Sequence, residues 1–411
     1  MNHKLRADAD RIIRTAIKAV QPDSAVIRAL RGREFPGKVV LVAAGKAAWQ
    51  MAKAANDCLG DRIKKGVVIT KYDHIMGPVA EFSCREAGHP VPDENSFRAT
   101  AEALELVSGL KSEDTVLFLL SGGGSALFEA PLVSGEELQD ITKQLLACGA
   151  DIVEINTIRK RLSNVKGGRF AQHCAPAQVF SIVLSDILGD PLDMIASGPA
   201  CPDSTTCQQA MAVVEKYGLQ ISDHVRELLA QETPKALDNV TTVVNGSVRE
   251  LCAAAATAAE ALGYTSVILT DHLTCQAKEA GAFLASVAKT HAGSGKRMAY
   301  IAGGETVVQL TGKGLGGRNQ ELALAAAAGL KGIPDAAIFS IGSDGTDGPT
   351  DAAGGYVDGD TAATLSAQGI DIFCVLQEND AYHALQRCDG LIITGPTGTN
   401  VNDVAVLLIN G

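Results

Sequence analysis

The stretch TVLFLLSGGGSALFEAP, residues 115–131, decides the fold class of this chain. Its apolar run at 116–120 stops at five small residues, Ser121, Gly122, Gly123, Gly124 and Ser125. An apolar run that ends in glycines is typical of a buried strand in a parallel sheet. The glycines allow positive φ and a close approach of the backbone to a ligand. The loop is therefore either a tight strand-to-helix turn or a cradle for a carboxylate or phosphate.

Apolar runs of this kind alternate with helical patterns along the chain. Strands are predicted at 39–44, 67–70, 82–87, 116–120, 179–184, 241–244, 266–270, 297–302, 305–311, 336–341, 391–394 and 404–409. Helices are predicted at 5–31, 96–110, 134–148, 207–217, 222–230, 247–262, 275–291, 319–330, 359–368 and 379–386, with one more after Lys46. This alternation indicates an α/β fold, with mostly parallel sheets covered by helices on both faces. Such sheets bind ligands at the carboxyl ends of their strands.

Length, charge and cysteine usage set the broad class. The 411 residues exceed one typical core, so we expect two domains, 1–235 and 236–411. A net charge of −11 disfavours nucleic acid as a partner, because binding to phosphate backbones needs a basic face. The amino-terminal segment lacks the apolar core of a signal peptide, and no run suits a membrane span. Ten scattered cysteines without zinc spacing predict free thiols and a cytoplasmic protein.

Lys46 follows the strand at 39–44 and lies at the start of a helix. The helix dipole favours anions at that end, so a lysine there is better explained by anion recruitment than by simple solvation. The segment is not a Walker A loop, because Ala47 stands where that motif needs Ser or Thr. The loop at 121–125 is likewise not a nucleophile elbow, because Leu127 replaces the last glycine of GxSxG. Ser121 and Ser125 are therefore predicted to be hydrogen-bond donors.

Two further clusters have both a functional and a structural interpretation. One is a basic run, which is either a solvated face or a site that neutralises a polyphosphate; its members are Arg159, Lys160, Arg161, Lys166 and Arg169. Asp186 and Asp190 follow the strand at 179–184 in the sequence SDILGDP. Carboxylates at a strand end suit a general base or a Mg²⁺ ligand, and a solvated turn is the alternative.

The glycines Gly312, Gly314 and Gly317 match GxGxxG between a strand and a helix, which is the context of a dinucleotide site. However, Arg318 ends the loop, and the next carboxylate at a strand end, Asp344, lies farther along than the usual spacing of about 20 residues. We interpret the loop as a phosphate cradle with a cationic residue, and a nicotinamide site stays open. The acidic segment that holds Asp344 and Asp347 lacks the calcium pattern but suits Mg²⁺ bound through phosphates.

Together these motifs resemble the class II glycerate kinases. The resemblance is carried by AAGKAA (43–48), GHPVPDENS (88–96), LLSGGGSALFEAP (119–131), NTIRKRLSNVKGGRFA (156–171), LSDILGDPLDMIASGP (184–199), GGETVVQLTGKGLGGRNQE (303–321), SIGSDGTDGPTDAAGG (340–355) and TGPTGTNVND (394–403). It implies two α/β/α three-layer domains with a cleft between them. The first would be Rossmann-like with a parallel sheet, and the second a MOFRL-type domain with a mixed sheet.

The resemblance also implies an activity, the phosphorylation of D-glycerate by ATP and Mg²⁺, most often at the 2-hydroxyl. The runner-up is an NAD(P)H-dependent hydroxypyruvate reductase, and a third possibility is a sugar-acid binding module without catalysis. Partners would be small molecules, with no nucleic acid or membrane, for a monomer or a homodimer. The product position, 2-phospho or 3-phospho, stays open.

The roles implied by the resemblance fall on four sets of residues. The catalytic set is Lys46, Asp186 (preferred over Asp190 as the base) and Arg318. The substrate or phosphate set is Ser121, Gly122, Gly123, Gly124, Ser125, Arg159, Lys166, Gly316 and Gly317. The nucleotide set is Gly303, Glu305, Gly312, Gly314 and Asn319. The metal set is Asp190, Asp344 and Asp347.

Overall fold

Two six-stranded sheets organise the chain, and the structure, a computed structural model, describes all 411 residues. The strands are β1 (Val39–Ala44), β2 (Ile63–Lys71), β3 (Ser83–Ala87), β4 (Thr115–Leu120), β5 (Gln178–Leu184), β6 (Val240–Gly246), β7 (Thr265–Leu273), β8 (Arg297–Gly304), β9 (Ala336–Gly342), β10 (Gly354–Asp358), β11 (Leu391–Ile392) and β12 (Asp403–Asn410). The helices are α1 (His3–Ala19), α2 (Pro22–Leu30), α3 (Ala48–Leu59), α4 (Glu94–Val107), α5 (Gly124–Leu127), α6 (Gly135–Ala147), α7 (Ile152–Arg161), α8 (Arg169–Cys174), α9 (Cys207–Tyr217), α10 (Asp223–Leu229), α11 (Val248–Glu260), α12 (Ala277–His291), α13 (Arg318–Leu330), α14 (Thr361–Ala367), α15 (Ile372–Gln377) and α16 (Ala381–Gln386). None of these helices has both the length and the apolar character that a membrane crossing needs.

The first compact unit comprises Pro22–Ser185 and Asp190–Asn245. Its sheet has the order β3-β2-β1-β4-β5-β6, and the pairs β3–β2, β2–β1, β1–β4 and β4–β5 are parallel. This order confirms the predicted Rossmann-like sheet. Strands β1 and β4 are buried along their whole length, as their uninterrupted apolar sequences predict. The strand order reverses between β1 and β4, so the loops after these two strands lie at the switch point where such sheets bind ligands.

The second compact unit comprises Met1–Gln21, Asp186–Gly189 and Gly246–Gly411. Its sheet has the order β11-β10-β9-β12-β8-β7 and is mixed, as predicted. Strand β7 is parallel to β8, whereas β12 is antiparallel to both β8 and β9. The first residue of β12, Asp403, therefore pairs with the last residues of β8 and β9, Gly304 and Gly342. The beginning of β12 thus lies at the same sheet edge as the ends of its two neighbours.

Helix α1 packs on this second sheet together with α11. Its apolar residues recur every three or four positions, and Leu5, Ala9, Ile12 and Ala16 are fully buried in one cluster. Helices α12 and α13 bury their apolar residues in a second cluster, with residues of β9 and β12. Each unit therefore has its own core.

Several sequence predictions need correction. The single helix predicted at 5–31 is two helices, because Pro22 lacks an N–H and begins α2. The strand predicted at 305–311 is absent, and only an isolated bridge joins Val307 to Gln276. The strand at 241–244 was assigned to the second domain, but β6 completes the first sheet. The last passage of the chain from the first unit to the second lies between Asn245 and Gly246, later than the predicted boundary, and Met1–Gln21 belongs to the second unit.

Candidate active site

Lys46 is held at the switch point of the first sheet by its backbone. Its N–H donates to the carbonyl of Gly122 at 2.9 Å, and its carbonyl accepts from Thr70 Oγ1 at 3.3 Å and from His74 Nδ1 at 3.0 Å. The preceding Gly45 has φ +126°, and a Cβ there would lie 2.2 Å from Ser121 Oγ. No ion pair or hydrogen bond engages Lys46 Nζ. The residue is thus an unpaired cation on a fixed backbone.

The glycine loop after β4 lies directly beside Lys46. Gly123 has φ +86°, and a Cβ at this position would lie 3.0 Å from His89 Cδ2 and 3.2 Å from Lys46 Cγ. The N–H groups of Gly122 and Gly123 have no partner within the protein. Ser121 is buried, and its hydroxyl accepts the N–H of Ala47 at 3.1 Å, so it joins the two loops. The loop therefore offers two free N–H donors next to a cation, which fits an anion.

Behind the loop, two of the predicted phosphate ligands contact the short helix α5. Lys166 Nζ donates to the carbonyls of Ser125 at 2.8 Å and Phe128 at 3.0 Å, and Arg159 Nη2 also donates to Ser125 at 3.1 Å. Lys166 is fully buried and pairs with Glu129 at 3.3 Å. Burial lowers the pKa of the Lys166 ammonium to about 8. These contacts support the loop from its inner side. A role for Lys166 as a phosphate ligand stays a prediction, and the full burial of its side chain disfavours it.

The basic run has a structural role that sequence reasoning missed. Lys160 and Arg161 are fully buried, and both contact the buried Asp203, at 3.0 Å and 3.6 Å respectively. Lys160 Nζ also pairs with Asp193 at 3.3 Å. Buried charges need partners of opposite sign, and these four residues supply them to one another. For Lys160 and Arg161, the solvated face was a wrong interpretation.

Arg318 is the main cation of the second unit. Its Nε lies 2.5 Å from Asp403 Oδ2 and its Nη2 3.1 Å from Asp403 Oδ1, while Nη1 lies 3.0 Å from Glu305 Oε1. Burial alone would lower the pKa of Arg318, but the hydrogen bond to Asp403 and the charges of Asp403 and Glu305 outweigh it and raise the pKa. Burial raises the pKa of Asp403. The guanidinium is therefore fixed and permanently charged.

Asp347 and Asn319 are engaged inside the protein. The carboxylate of Asp347 accepts the N–H of Asn319 at 3.1 Å and of Gln320 at 2.8 Å, and so caps helix α13. Burial raises the pKa of Asp347 to about 6. The Asn319 amide donates to Asp347 and accepts from Ser340. A metal role for Asp347 and a nucleotide role for Asn319 stay predictions, and these contacts give both residues a structural explanation.

The first part of the GxGxxG loop is held by hydrogen bonds to residues 378–380. Gly312 N–H donates to Asn379 Oδ1 at 2.8 Å, Gly314 N–H to the carbonyl of Glu378 at 2.7 Å, and Leu315 N–H to Asp380 Oδ1 at 2.9 Å. A Cβ on Gly312 would lie 2.3 Å from Glu378 Cα, so close packing explains this glycine. The N–H groups of Gly312, Gly314 and Leu315 are thus engaged inside the protein, whereas those of Gly316 and Gly317 have no partner within it.

Packing also explains Gly303, where a Cβ would lie 2.3 Å from the sulfur of Cys252. By contrast, most of the other predicted residues of this unit line one cavity of about 940 Å³, although Asp186 and Asn319 do not. Its lining includes Glu305, Gly312, Gly314, Gly316, Gly317, Arg318, Asp344 and Asp347. This volume lies within the range of ligand sites, about 300–1,000 Å³.

Asp186 also belongs to the second unit, although it follows β5 of the first sheet. Its carbonyl accepts a hydrogen bond from Asn402 Nδ2 at 3.2 Å, and the same nitrogen donates to Glu305 Oε2 at 3.3 Å. Leu188, two residues on, lines the cavity that holds Arg318. Two of the three predicted catalytic residues therefore lie in one hydrogen-bonded network.

The carboxylates predicted to hold Mg²⁺ differ in their availability. Asp190 has φ +52°, and its Oδ1 is buried without a hydrogen-bond partner. Asp344 Oδ1 accepts the N–H of Thr346 at 3.0 Å within its turn. No group of three or more His, Cys, Asp or Glu side chains converges to form a metal site. This donor set fits an ion bound mainly through phosphates and water, with one or two carboxylates.

Sequence reasoning did not single out Asn402, Asp403, Asn379 or His89. Asp403 was missed because we searched the carboxyl ends of strands, whereas β12 is antiparallel and places its first residue at the site. The signal available was the polar cluster at 399–403 directly before an apolar strand. His89 lies in a loop with prolines at 90 and 92, which the sequence suggested only as a rigid turn.

Comparison with known proteins adds an independent line of observation. Residues 8–230 match a family described as a domain of unknown function, DUF4147, and residues 298–403 match the MOFRL family. A D-glycerate 2-kinase from Thermotoga maritima is 54% identical, over 98% of this chain and 98% of its own. This chain belongs to the glycerate kinase family. The resemblance in its motifs is thereby confirmed over nearly the whole length.

A second relative and a solved structure show how far this similarity extends. A glycerate 2-kinase from Pyrococcus horikoshii is 40% identical over 97% of this chain and 96% of its own. The crystal structure of a glycerate kinase from Thermotoga maritima superposes with a TM-score of 0.94 and covers 99% of each chain. The two α/β units predicted for a glycerate kinase are therefore confirmed.

Proposed function

We propose that this chain transfers the γ-phosphoryl group of ATP to D-glycerate, at the 2-hydroxyl, and so forms 2-phosphoglycerate. The observation that carries the proposal is the full-length similarity to a D-glycerate 2-kinase at 54% identity. The site geometry supports it, because phosphoryl transfer depends on positioning and charge neutralisation more than on covalent chemistry by the protein.

Arg318 and Lys46 are the cations of the proposed reaction. Arg318 keeps its charge at every working pH, and Asp403 and Glu305 fix its orientation. It stabilises the negative charge on the transferred phosphoryl group. Lys46 has no partner that would have to be displaced, so its ammonium is free to bind an anionic oxygen of a substrate.

The glycine loop is the proposed site for the acceptor. The free N–H groups of Gly122 and Gly123 hold the carboxylate of glycerate, and Ser125 contributes its hydroxyl. Lys166 and Arg159 keep the loop in place through the carbonyl of Ser125. The predicted substrate set thus divides into residues that contact the ligand and residues that support them.

Asp186 orients and deprotonates the acceptor hydroxyl. The proton of the 2-hydroxyl passes to its carboxylate, the hydroxyl oxygen forms a bond to the γ-phosphorus, and the bond to the β–γ bridging oxygen breaks to release ADP. Because the carbonyl of Asp186 is fixed by Asn402, the backbone that carries this base is held in place.

Mg²⁺ bound to ATP would neutralise charge on the phosphates. Asp190 and Asp344 are the proposed protein ligands, because each keeps at least one carboxylate oxygen without a hydrogen bond. Asp347 is the weaker candidate, since both of its oxygens accept N–H groups of α13. We also propose that the enzyme acts in the cytoplasm, where its ten free thiols stay reduced.

A coupled assay for ADP tests this function. We expect ADP release that requires both D-glycerate and Mg²⁺. Oxidation of NADH by hydroxypyruvate without ATP would instead support a reductase, and tight glycerate binding without turnover would support a binding module. The full-length similarity to glycerate 2-kinases favours the kinase over the reductase.

A further inference from the structure

Asn402 stands directly before β12 in a left-handed conformation, with φ +64°. Few residues other than glycine adopt this conformation, although asparagine tolerates it better than most. Asn402 is 5% exposed, so its side chain is held inside the protein. Glycine would adopt this backbone without strain. Glycine would keep this backbone but would lack the buried amide, so the contacts of the amide decide whether it has a role of its own.

The contacts of the amide suggest what this role is. Its Nδ2 donates to the carbonyl of Asp186 at 3.2 Å and to Glu305 Oε2 at 3.3 Å. Both partners accept hydrogen bonds only, so the amide must present its NH₂ group to them. One NH₂ group carries two hydrogens, and here both are used.

These contacts connect Asn402 to Arg318 by two routes. Glu305 holds Arg318 Nη1 through its other oxygen at 3.0 Å. Asp403, which follows Asn402 in the chain, holds the Nε and Nη2 atoms of the same guanidinium. Asn402 thus reaches one of these carboxylates through its side chain and the other through its peptide bond.

We propose that Asn402 is a positioning residue that fixes Asp186 relative to Arg318. The inference rests on the proposed function, in which these two residues act on the same transferred phosphoryl group. Asn402 itself contacts neither ATP nor glycerate. Its NH₂ group sets the separation between the base and the cation, and its left-handed backbone aims the NH₂ group at both partners.

Two substitutions separate this role from a purely structural one. Asn402→Gly keeps the left-handed backbone and removes the amide, so a residue needed only for the turn would tolerate it. Asn402→Asp keeps the shape but places a carboxylate against Glu305. We expect kcat to fall about 10- to 100-fold in both variants, in line with the loss of hydrogen bonds to a charged group and a carbonyl. The KM values should stay within about threefold, because bound substrates do not contact Asn402.

Hydrogen exchange supplies a readout that does not depend on activity. In Asn402→Gly, the backbone amides of Asp186–Gly189 should exchange at least fivefold faster than in the parent enzyme, while the melting temperature stays the same or rises. The matched control is Asp389→Gly, which also introduces a glycine at a left-handed position, φ +55°, but on the exposed surface. This control should keep parental turnover and parental exchange at Asp186–Gly189.

Failure of the inference about Asn402 and failure of the proposed function give different results. Parental turnover in Asn402→Gly overturns the inference, and so does unchanged exchange at Asp186–Gly189. A parent enzyme that releases no ADP with D-glycerate overturns the proposed function instead, and the exchange measurement then still decides whether Asn402 fixes the Asp186 segment.

Discussion

Arg318 and Asp403 form a two-point ion pair, with Nε 2.5 Å from Oδ2 and Nη2 3.1 Å from Oδ1. Asp403 is nearly buried, and it begins the strand that lies between β8 and β9. A planar guanidinium matches a carboxylate at two points, so the pair fixes orientation as well as distance. The cation that we assign to phosphoryl transfer is thereby anchored on the central strands of its sheet.

Replacing Arg318 by lysine should lower kcat by about 100-fold or more, because an ammonium keeps the charge but cannot make the paired contacts. The measurement is the rate of ADP release at saturating D-glycerate and ATP. Arg249→Lys is the matched control, since that arginine forms an exposed ion pair with Asp271. Equal turnover in Arg318→Lys and in the control would contradict the role of Arg318.

Replacing Gly123 by alanine should raise the KM for D-glycerate about tenfold or more. The added Cβ would crowd His89 and Lys46, and it would also strain a backbone with φ +86° by about 1–2 kcal/mol. Gly109→Ala is the matched control, because Gly109 has φ +72° with nothing within 4 Å of its Cβ position. The Gly109→Ala variant imposes similar backbone strain outside the glycine loop. Its KM values for D-glycerate and ATP should equal those of the parent enzyme. Similar KM changes in both variants would contradict the proposal that the glycine loop binds D-glycerate.

The ammonium of Lys166 should titrate at a pH of about 8, well below an ordinary lysine, because it is fully buried. NMR of ¹³C-labelled lysine side chains would detect this midpoint. An unfolded lysine keeps its proton up to a pH of about 10.4. Between these two values the unfolded state binds more protons than the folded state, so this group makes the free energy of unfolding rise with pH in that window. If every lysine signal titrated above pH 9.5, the lowered pKa of Lys166 would be contradicted.

The sequence predicted the first sheet well because its signals are local. Uninterrupted apolar runs in β1 and β4 indicated buried parallel strands, and their glycine-rich ends indicated the switch point. Lys46 and Gly123 are neighbours for that reason. The position of helix α1 was harder to predict. Its apolar stripe shows that one face is buried, but it does not show which sheet covers that face. In the structure, α1 packs in the core of the second unit.

The rest of the site depends on contacts between residues that are distant in the chain. Asp186 and Asn402 are joined by a hydrogen bond, yet no periodicity links them. The GxGxxG match alone cannot identify a binding loop, because close packing against Glu378 also requires glycine at position 312. Lys166 looks like a surface residue in the sequence, and only the fold reveals that it is buried with Glu129.

The most direct test of the account is ³¹P NMR of the product that the enzyme forms from ATP, Mg²⁺ and D-glycerate. We expect ADP together with a new phosphomonoester resonance that coincides with added 2-phosphoglycerate. A resonance that coincides with 3-phosphoglycerate would contradict the proposed acceptor position. A spectrum with no new phosphomonoester, from enzyme that oxidises NADH in the presence of hydroxypyruvate, would contradict the kinase assignment itself.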